Sequence, residues 1–535
     1  MLFAAGLLLA LAAAEPTTVE TGKFLIYQAG KPIGQEVYTH TRQDDRDVWS
    51  ATVELENLGM RLRQQPRLVL GPSGPLRLDL EYTVSGREGS VGYDFRDKTY
   101  TVTRKGEAGE ATEEHALPAG AVVLLNNVLH HNILLARRYD WKKGGRQQFT
   151  ALPSTPVVVE ERAQERFRLA GRPVVLRHLF VTVSGAIGAN LWIDPDLRIV
   201  KMDFPLQRAE IFLEGFEKIA PEPHPAVVPA GIDALEVDYR SGDHRMAGTL
   251  TLPARRAERL PAVILISGSG PQNRDEDSVG VGGVKLGLFR AIAERLGRAG
   301  IAVLRYDDRG VGESGGSFAT ATMTDFEEDA RAALRYLETR PEIDPRRIGI
   351  VGHSEGAILG ARIAADPSSV KALVLMAGVA ENGKSILRWQ ADKTLSGTRL
   401  GQSERKAAAE QQEEFFRLVE AADGEVAEVQ GQTINVGWFK EFLSCDPLSA
   451  VRRIRCAVAI LQGERDVQVP PDDARLLKQA LAESGNADHE LHTFPLLGHV
   501  FTESTGEGIA ELADPQKHPS PEFLDVLAGF LARKL

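Results

Sequence analysis

The chain has 535 residues, 43% hydrophobic and 26% charged, with 74 acidic against 63 basic side chains and a formal net charge of −11. That length accommodates several domains with cores of their own, and an acidic balance without a Lys/Arg run gives no footprint for nucleic acid or an anionic membrane surface. Its 2 cysteines are too few for a disulfide scaffold or a Cys-based zinc site.

Leu2 to Ala14 form an uncharged apolar run that stops at Glu15 and Pro16. A bilayer span takes about 20 such residues. A signal peptide over 1–14 fits better than an uncleaved anchor: Ala12, Ala13 and Ala14 supply an A-x-A cleavage site, although no Lys or Arg follows Met1. The expectation is an exported protein, periplasmic or extracellular, with no stable membrane span.

Residues 15–219 follow a period of two. Leu76, Leu78, Leu80, Tyr82 and Val84 alternate with Arg77, Asp79, Glu81 and Thr83, as a strand with one wet face requires. Similar runs are expected at Phe24 to Tyr27, Trp49 to Leu55, Tyr93 to Val102, Val174 to Val183 and Leu197 to Leu213, between Gly, Pro and Asp turns. This half reads as a separate β-rich domain built on an antiparallel sheet, with one helix over Gly120 to Arg138. Adjacent His130 and His131 point in different directions on a helix and have no carboxylate or cysteine cluster beside them, so they do not read as metal ligands. The basic stretch Arg137, Arg138, Lys142, Lys143 and Arg146 reads as a solvated loop.

Pro221, Pro223, Pro225 and Pro229 mark a semi-rigid linker over 220–233. Beyond it, from Ala234 to Leu535, short apolar runs (Ala262 to Ile266, Ile301 to Tyr306, Ile348 to Val351, Val370 to Met376, Ala457 to Leu461) alternate with segments of helical period. Continuous Val, Ile and Leu strands separated by helices mean a parallel sheet covered on both faces, an α/β domain. A capping box, Thr324 with Glu327, is expected to open the helix ahead of Ala330, Leu334 and Leu337.

After the strand Ile348 to Val351 comes Gly352-His353-Ser354-Glu355-Gly356, followed by a small-residue helix. G-x-S-x-G between a strand and a helix puts the serine on a turn too tight for side chains at the flanking positions, exposed at the C-terminal edge of the sheet. The helix N-terminus beside it favours an oxyanion. A serine needs a base, and the base needs an orienting acid. Asp466 lies on the loop after the strand Ala457 to Leu461, with Glu464 the rival acid, read as a turn residue; Asp472 and Asp473 read as N-terminal helix residues. His499 lies past the run Glu490 to Phe494, at the edge where the serine emerges, whereas His489 and His492 flank or sit within that run. The order Ser354, Asp466, His499 is the one this architecture uses. Two backbone N–H groups should hold the oxyanion: that of Glu355 and that of Ser269, with Gly270 the near alternative, in the loop Ser267-Gly268-Ser269-Gly270-Pro271.

The strings SGSGPQNRDE (267–276), RYDDRGVGESGG (305–316), IGIVGHSEGA (348–357), LQGERDVQVP (461–470) and LGHVF (497–501) occur in this order. Through them the C-terminal half resembles the α/β-hydrolase superfamily, and within it the bacterial esterases of the serine-aminopeptidase-like and dienelactone-hydrolase-like group. The resemblance implies hydrolysis of carboxylic esters through an acyl-enzyme, without metal or organic cofactor; some related enzymes cleave peptides. Within the match, Gly310-Val311-Gly312-Glu313-Ser314-Gly315 fits the dinucleotide fingerprint G-x-G-x-x-G, but no helix opens at its third glycine. The turn Asp307-Asp308-Arg309 before it reads as held by internal ion pairs.

An insertion at about 380–443, carrying Leu387, Trp389, Phe415, Phe416, Trp438, Phe439 and Phe442, is expected to form amphipathic helices capping the serine or packed beside the sheet. Cys445 and Cys456 could pair in an oxidising compartment or remain free thiols. The chain therefore reads as an exported serine hydrolase acting on a small-molecule ester, with a peptidase using the same triad as the alternative. A reading from another class makes it a lipid- or glycan-binding protein with an ancillary hydrolase domain.

Overall fold

Two large sheets and one small hairpin organise the described residues. The computed structural model describes all residues except 1–15, 58, 108, 223–229, 256–258, 279–283, 367–369, 397–400 and 431. The expected signal peptide lies outside the described residues, as does half of the expected linker. Two compact units separate: 1–183 with 189–222, and 184–188 with 223–535. No helix among the described residues is long and apolar enough to cross a membrane.

The first unit is built on an antiparallel sheet of 15 strands among the described residues. From Thr17–Gln28 to Gly109–Ala116, eight strands follow one another as neighbours. The expected alternation holds in the middle of Gly74–Val84, where Leu78 and Leu80 are buried and Arg77, Asp79 and Glu81 lie on the wetter side, but Leu76 near its start is 41% exposed. Two runs expected as single strands are broken. Tyr93 to Val102 is interrupted by a turn between Arg87–Phe95 and Thr99–Gly106, and Leu197 to Leu213 is split into Ile199–Phe204 and Ala209–Leu213 by a short turn at Pro205–Gln207.

The expected helix over Gly120 to Arg138 is shorter, covering His131–Arg138. Residues before it take turns, with Gly120 at φ 68° and Asn127 at φ 64°. The buried Glu36 carboxylate accepts the Leu129 and His130 N–H groups at 2.6 and 2.8 Å, satisfying amides at the helix entrance from the sheet. The His130 ring binds the same carboxylate at 3.1 Å and stacks near Tyr38 and Trp49, so it is core structure.

In the second unit the main sheet has the strands β1 (Ile232–Ser241), β2 (His244–Pro253), β3 (Leu260–Ile266), β4 (Ala302–Tyr306), β5 (Ile343–His353), β6 (Val370–Met376), β7 (Ala457–Gly463) and β8 (His489–Phe494), and a separate hairpin pairs Val426–Val429 with Gln432–Asn435. They pair in the order β1-β2-β4-β3-β5-β6-β7-β8, antiparallel at β2 and parallel from β4 onward. This is the α/β-hydrolase arrangement. The helices are α1 (Leu288–Arg298), α2 (Met323–Thr339), α3 (Glu355–Ala365), α4 (Gly383–Ser396), α5 (Gln402–Ala421), α6 (Val436–Ser444), α7 (Pro447–Val451), α8 (Asp473–Glu483) and α9 (Pro521–Lys534).

Unbroken apolar strands are explained by two cores. Ile264, Leu304, Ile350 and Ile460 point into one, with Leu334 and Leu337 of α2, Leu359 of α3 and Leu477 of α8. Their chain neighbours Val263, Val303, Val351 and Leu461 point into the other, with Phe289 and Ile292 of α1 and Phe523 and Phe530 of α9. Each such side chain contributes about 1.5–3 kcal/mol by leaving water.

The capping box of α2 sits two residues earlier than expected. Thr322 Oγ1 accepts the Asp325 N–H at 3.1 Å and Asp325 accepts the Thr322 N–H at 2.9 Å. Thr324 instead gives its N–H to Glu441 of α6 at 2.8 Å, and Glu327 pairs with Arg331 at 2.7 Å. Arg309 meets Asp325 at 2.6 Å, a tertiary partner that helps fix this aspartate at the helix start.

Candidate active site

Ser354 stands between β5 and α3 at φ 54°, ψ −115°, backbone that an L-residue adopts only under constraint. Its flanking glycines explain how. A Cβ at Gly352 would collide with the Gly356 backbone, and one at Gly356 with the carbonyls of Ile266 and Ser267. The serine is thereby pushed out at the C-terminal edge of the sheet, at the head of α3, whose first N–H groups have no partner within the helix.

Asp466 follows β7 and is fully buried at its side chain; His499 follows β8 and is 8% exposed at its side chain. His499 Nδ1 and Asp466 Oδ2 lie 2.8 Å apart. Three more donors fix the carboxylate: the amides of Gln468 and Val469 at 2.8 and 2.9 Å, and Gln462 Nε2 at 3.1 Å. With Nδ1 turned to the acid, the imidazole leaves Nε2 as its proton-accepting nitrogen. Among the described residues no hydrogen bond joins Ser354 Oγ to this ring. The rivals lie apart: Glu464 accepts from Thr493 at 2.7 Å, His489 binds the Asn486 carbonyl at 2.8 Å, and His492 meets Glu490 at 3.3 Å.

The small-residue loop after β3 lies against the elbow, where a Cβ on Gly268 would stand 3.2 Å from Ser354 Cβ. Side chains hold this loop from both sides. Ser267 Oγ donates to Asp308 at 2.7 Å and Gly268 N to Glu276 at 2.9 Å. Ser269 Oγ donates to Glu355 Oε2 at 2.7 Å. Trp438 Nε1, from α6 in the 380–443 insertion, donates to the other oxygen of Glu355 at 3.0 Å. Burial raises the Glu355 carboxyl above its ordinary value, against the lowering effect of those two donors. The insertion therefore reaches the residue beside the serine. The amides of Ser269 and Gly270 meet no protein acceptor among the described residues.

Near this edge, Asp473 at the start of α8 accepts the Ala380 N–H at 2.8 Å, and burial pushes its carboxyl up to about 6. The fingerprint-like segment 310–315 is filled from inside: Asp307 takes Arg274 Nη2 at 2.7 Å and the Glu313 N–H at 3.0 Å, and Arg309 meets Asp329 at 2.8 Å. A Cβ on Gly312 would run into the Asp307 carboxylate, which is what that glycine serves. Cys445 and Cys456 are free thiols, both raised by burial, Cys456 to about 11. Glu276, His353 and Trp438 were missed by sequence reasoning. Of these only His353, the variable position of G-x-S-x-G, carried a signal.

Residues 282–504 match the family described as serine aminopeptidase, S33. Esterase EstD of Thermotoga maritima is 25% identical over 339 residues, covering 63% of this chain and 76% of that protein. An uncharacterized protein of Pseudomonas aeruginosa, PA2218, is 30% identical over 131 residues, 24% of this chain and 32% of its own length. The crystal structure of the latter aligns with a TM-score of 0.40 at 19% identity, covering 58% of this chain and 96% of that one. Est1E of Butyrivibrio proteoclasticus, solved with ferulic acid bound, aligns at 0.39 and 17% identity, covering 56% and 96%.

Proposed function

We propose that this chain, whose residues 282–504 match the serine aminopeptidase S33 family, is a serine hydrolase that cleaves carboxylic esters through an acyl-enzyme on Ser354. The observation that carries the reading is the 2.8 Å pairing of Asp466 with His499 at the same sheet edge as a strained, elbow-borne serine. Ser354 Oγ attacks the ester carbonyl while His499 Nε2 takes its proton. Asp466 holds the tautomer and stabilises the imidazolium that forms. The carbonyl oxygen, now negative, is held by the amides of Glu355 and Ser269, donors fixed before the reaction begins. Collapse expels the alcohol with the proton from His499, and water then repeats the sequence on the acyl-enzyme.

The peptidase alternative is favoured by the description of the matching family and by a carboxylate, Glu355, next to the nucleophile. Both Glu355 oxygens are engaged by Ser269 and Trp438, however, which disfavours its use as an anchor for a peptide amine. The reading includes export, supported by the apolar run Leu2 to Ala14, and delivery of substrate by the β-rich half. Turnover of p-nitrophenyl ester and aminoacyl-anilide panels by the full chain tests it. Ester hydrolysis lost in Ser354→Ala is expected; faster turnover of the anilides would replace the esterase with the peptidase.

A further inference from the structure

We propose that His353 and Glu276 act as a pair of positioning residues, a buried strut that holds one proton and fixes the oxyanion loop, the nucleophile elbow and the loop of the general base relative to one another. The catalytic consequence rests on the serine-hydrolase reading given above; the strut itself rests on geometry. His353 is buried between Gly352 and Ser354. Its Nδ1 lies 2.7 Å from Glu276 Oε1 and its Nε2 lies 3.0 Å from the carbonyl oxygen of His499. Glu276 Oε1 also accepts the N–H of Gly268, the residue before the expected oxyanion donor, at 2.9 Å. One carboxylate and one ring thus join the oxyanion loop, the elbow and the loop of the general base.

Counting protons decides the state of the pair. A carbonyl oxygen only accepts, so Nε2 must carry a hydrogen. One proton must also lie between Nδ1 and Glu276 Oε1, and the pair is completed by placing it on Nδ1, which makes His353 an imidazolium beside a carboxylate. With the proton between Nδ1 and Oε1 removed, one of the three bonds must fail, because a ring lone pair then faces an oxygen lone pair. The groups facing the ring agree with this state. Glu276 approaches from the loop after β3 and the His499 ring from the loop after β8 at 4.7 Å between centroids, with uncharged Phe501 beside it, while the charge of Asp466 acts on the ring from the loop after β7 and Asp308, after β4, interacts electrostatically with Glu276. Burial alone would depress the His353 imidazole, but Glu276, the His499 carbonyl and Asp466 outweigh it and raise it. A raised folded value means the strut is complete at low pH and is lost as pH rises through that value.

The variant Glu276→Gln keeps the shape and removes the charge. In the full chain its kcat on a p-nitrophenyl ester is expected to fall about tenfold or more with KM nearly unchanged, since misplaced oxyanion donors cost rate rather than substrate binding. Its rate is also expected to decline at lower pH than that of wild type. Glu276→Asp retains the charge and is expected to retain the wild-type alkaline limb. A folded Glu276→Gln with wild-type kcat and pH profile would overturn the proposal. Histidine-selective 15N NMR reads the strut without reference to activity. Followed through a pH titration, the assigned His353 ring should keep both nitrogens protonated to higher pH in wild type than in Glu276→Gln. Should that variant fail to fold, the wild-type spectrum and Glu276→Asp still decide, and a wild-type His353 that gives up its second ring proton at or below the ordinary histidine range would overturn the strut even in a chain without esterase activity.

Discussion

Ser269→Ala removes one oxygen and leaves the backbone amide in place. That oxygen donates at 2.7 Å to a carboxylate that is 4% exposed and whose other oxygen is held by Trp438. A hydrogen bond to a buried charged group contributes about 1.5–3 kcal/mol. If that free energy serves to hold the loop in its transition-state position, its loss corresponds to about 10- to 150-fold in rate. Complete removal of an oxyanion donor costs about 100- to 1000-fold; because here the N–H remains and loses only its orientation, a fall of about 10- to 100-fold in kcat is expected, with KM little changed. Steady-state kinetics on a p-nitrophenyl ester, with urea unfolding as the control for folding, reads this directly. A well-folded Ser269→Ala with wild-type kcat would refute the claim that the hydroxyl positions the loop.

Two further outcomes are expected elsewhere in the unit. Asp473 carries a carboxyl raised to about 6, so between about pH 4 and pH 6 the unfolded chain gives up the proton first and stability falls as pH rises. Asp473→Asn should remove that loss, gaining up to about 2–3 kcal/mol over wild type between pH 4 and pH 7. Urea midpoints at the two pH values check it, and a parallel shift of both proteins would contradict it. Arg309→Met leaves Asp329, 2% exposed at its side chain, with an uncompensated buried charge. A destabilisation of about 3–5 kcal/mol is expected; a loss below about 1 kcal/mol would show that the ion pairs do not hold the 305–316 turn.

Local chemistry made the chemical core of the site legible. G-x-S-x-G needs two flanking positions without side chains, and the structure shows backbone where their Cβ atoms would stand. Asp466 and His499 were legible because each follows a recognisable strand. Longer-range partners were not legible. The helix at 131–138 begins where Glu36, far back in the chain, accepts its entrance amides. Similarly, α2 begins at Thr322 rather than Thr324 because Asp325, not Glu327, is the reciprocal cap and is engaged by Arg309. Glu276 looked like one more charge in NRDE, and Trp438 like one more aromatic of the insertion. Their roles come from tertiary contacts at 2.7 to 3.0 Å that period and spacing do not encode.

The most direct test of the central claim is labelling of the purified chain by a fluorophosphonate probe, with the modified residue identified by mass spectrometry. An activated nucleophile should carry the phosphonate on Ser354, and the adduct should vanish in Ser354→Ala and weaken strongly in His499→Ala. A well-folded wild type that takes no label, or takes it on another serine, would contradict the account.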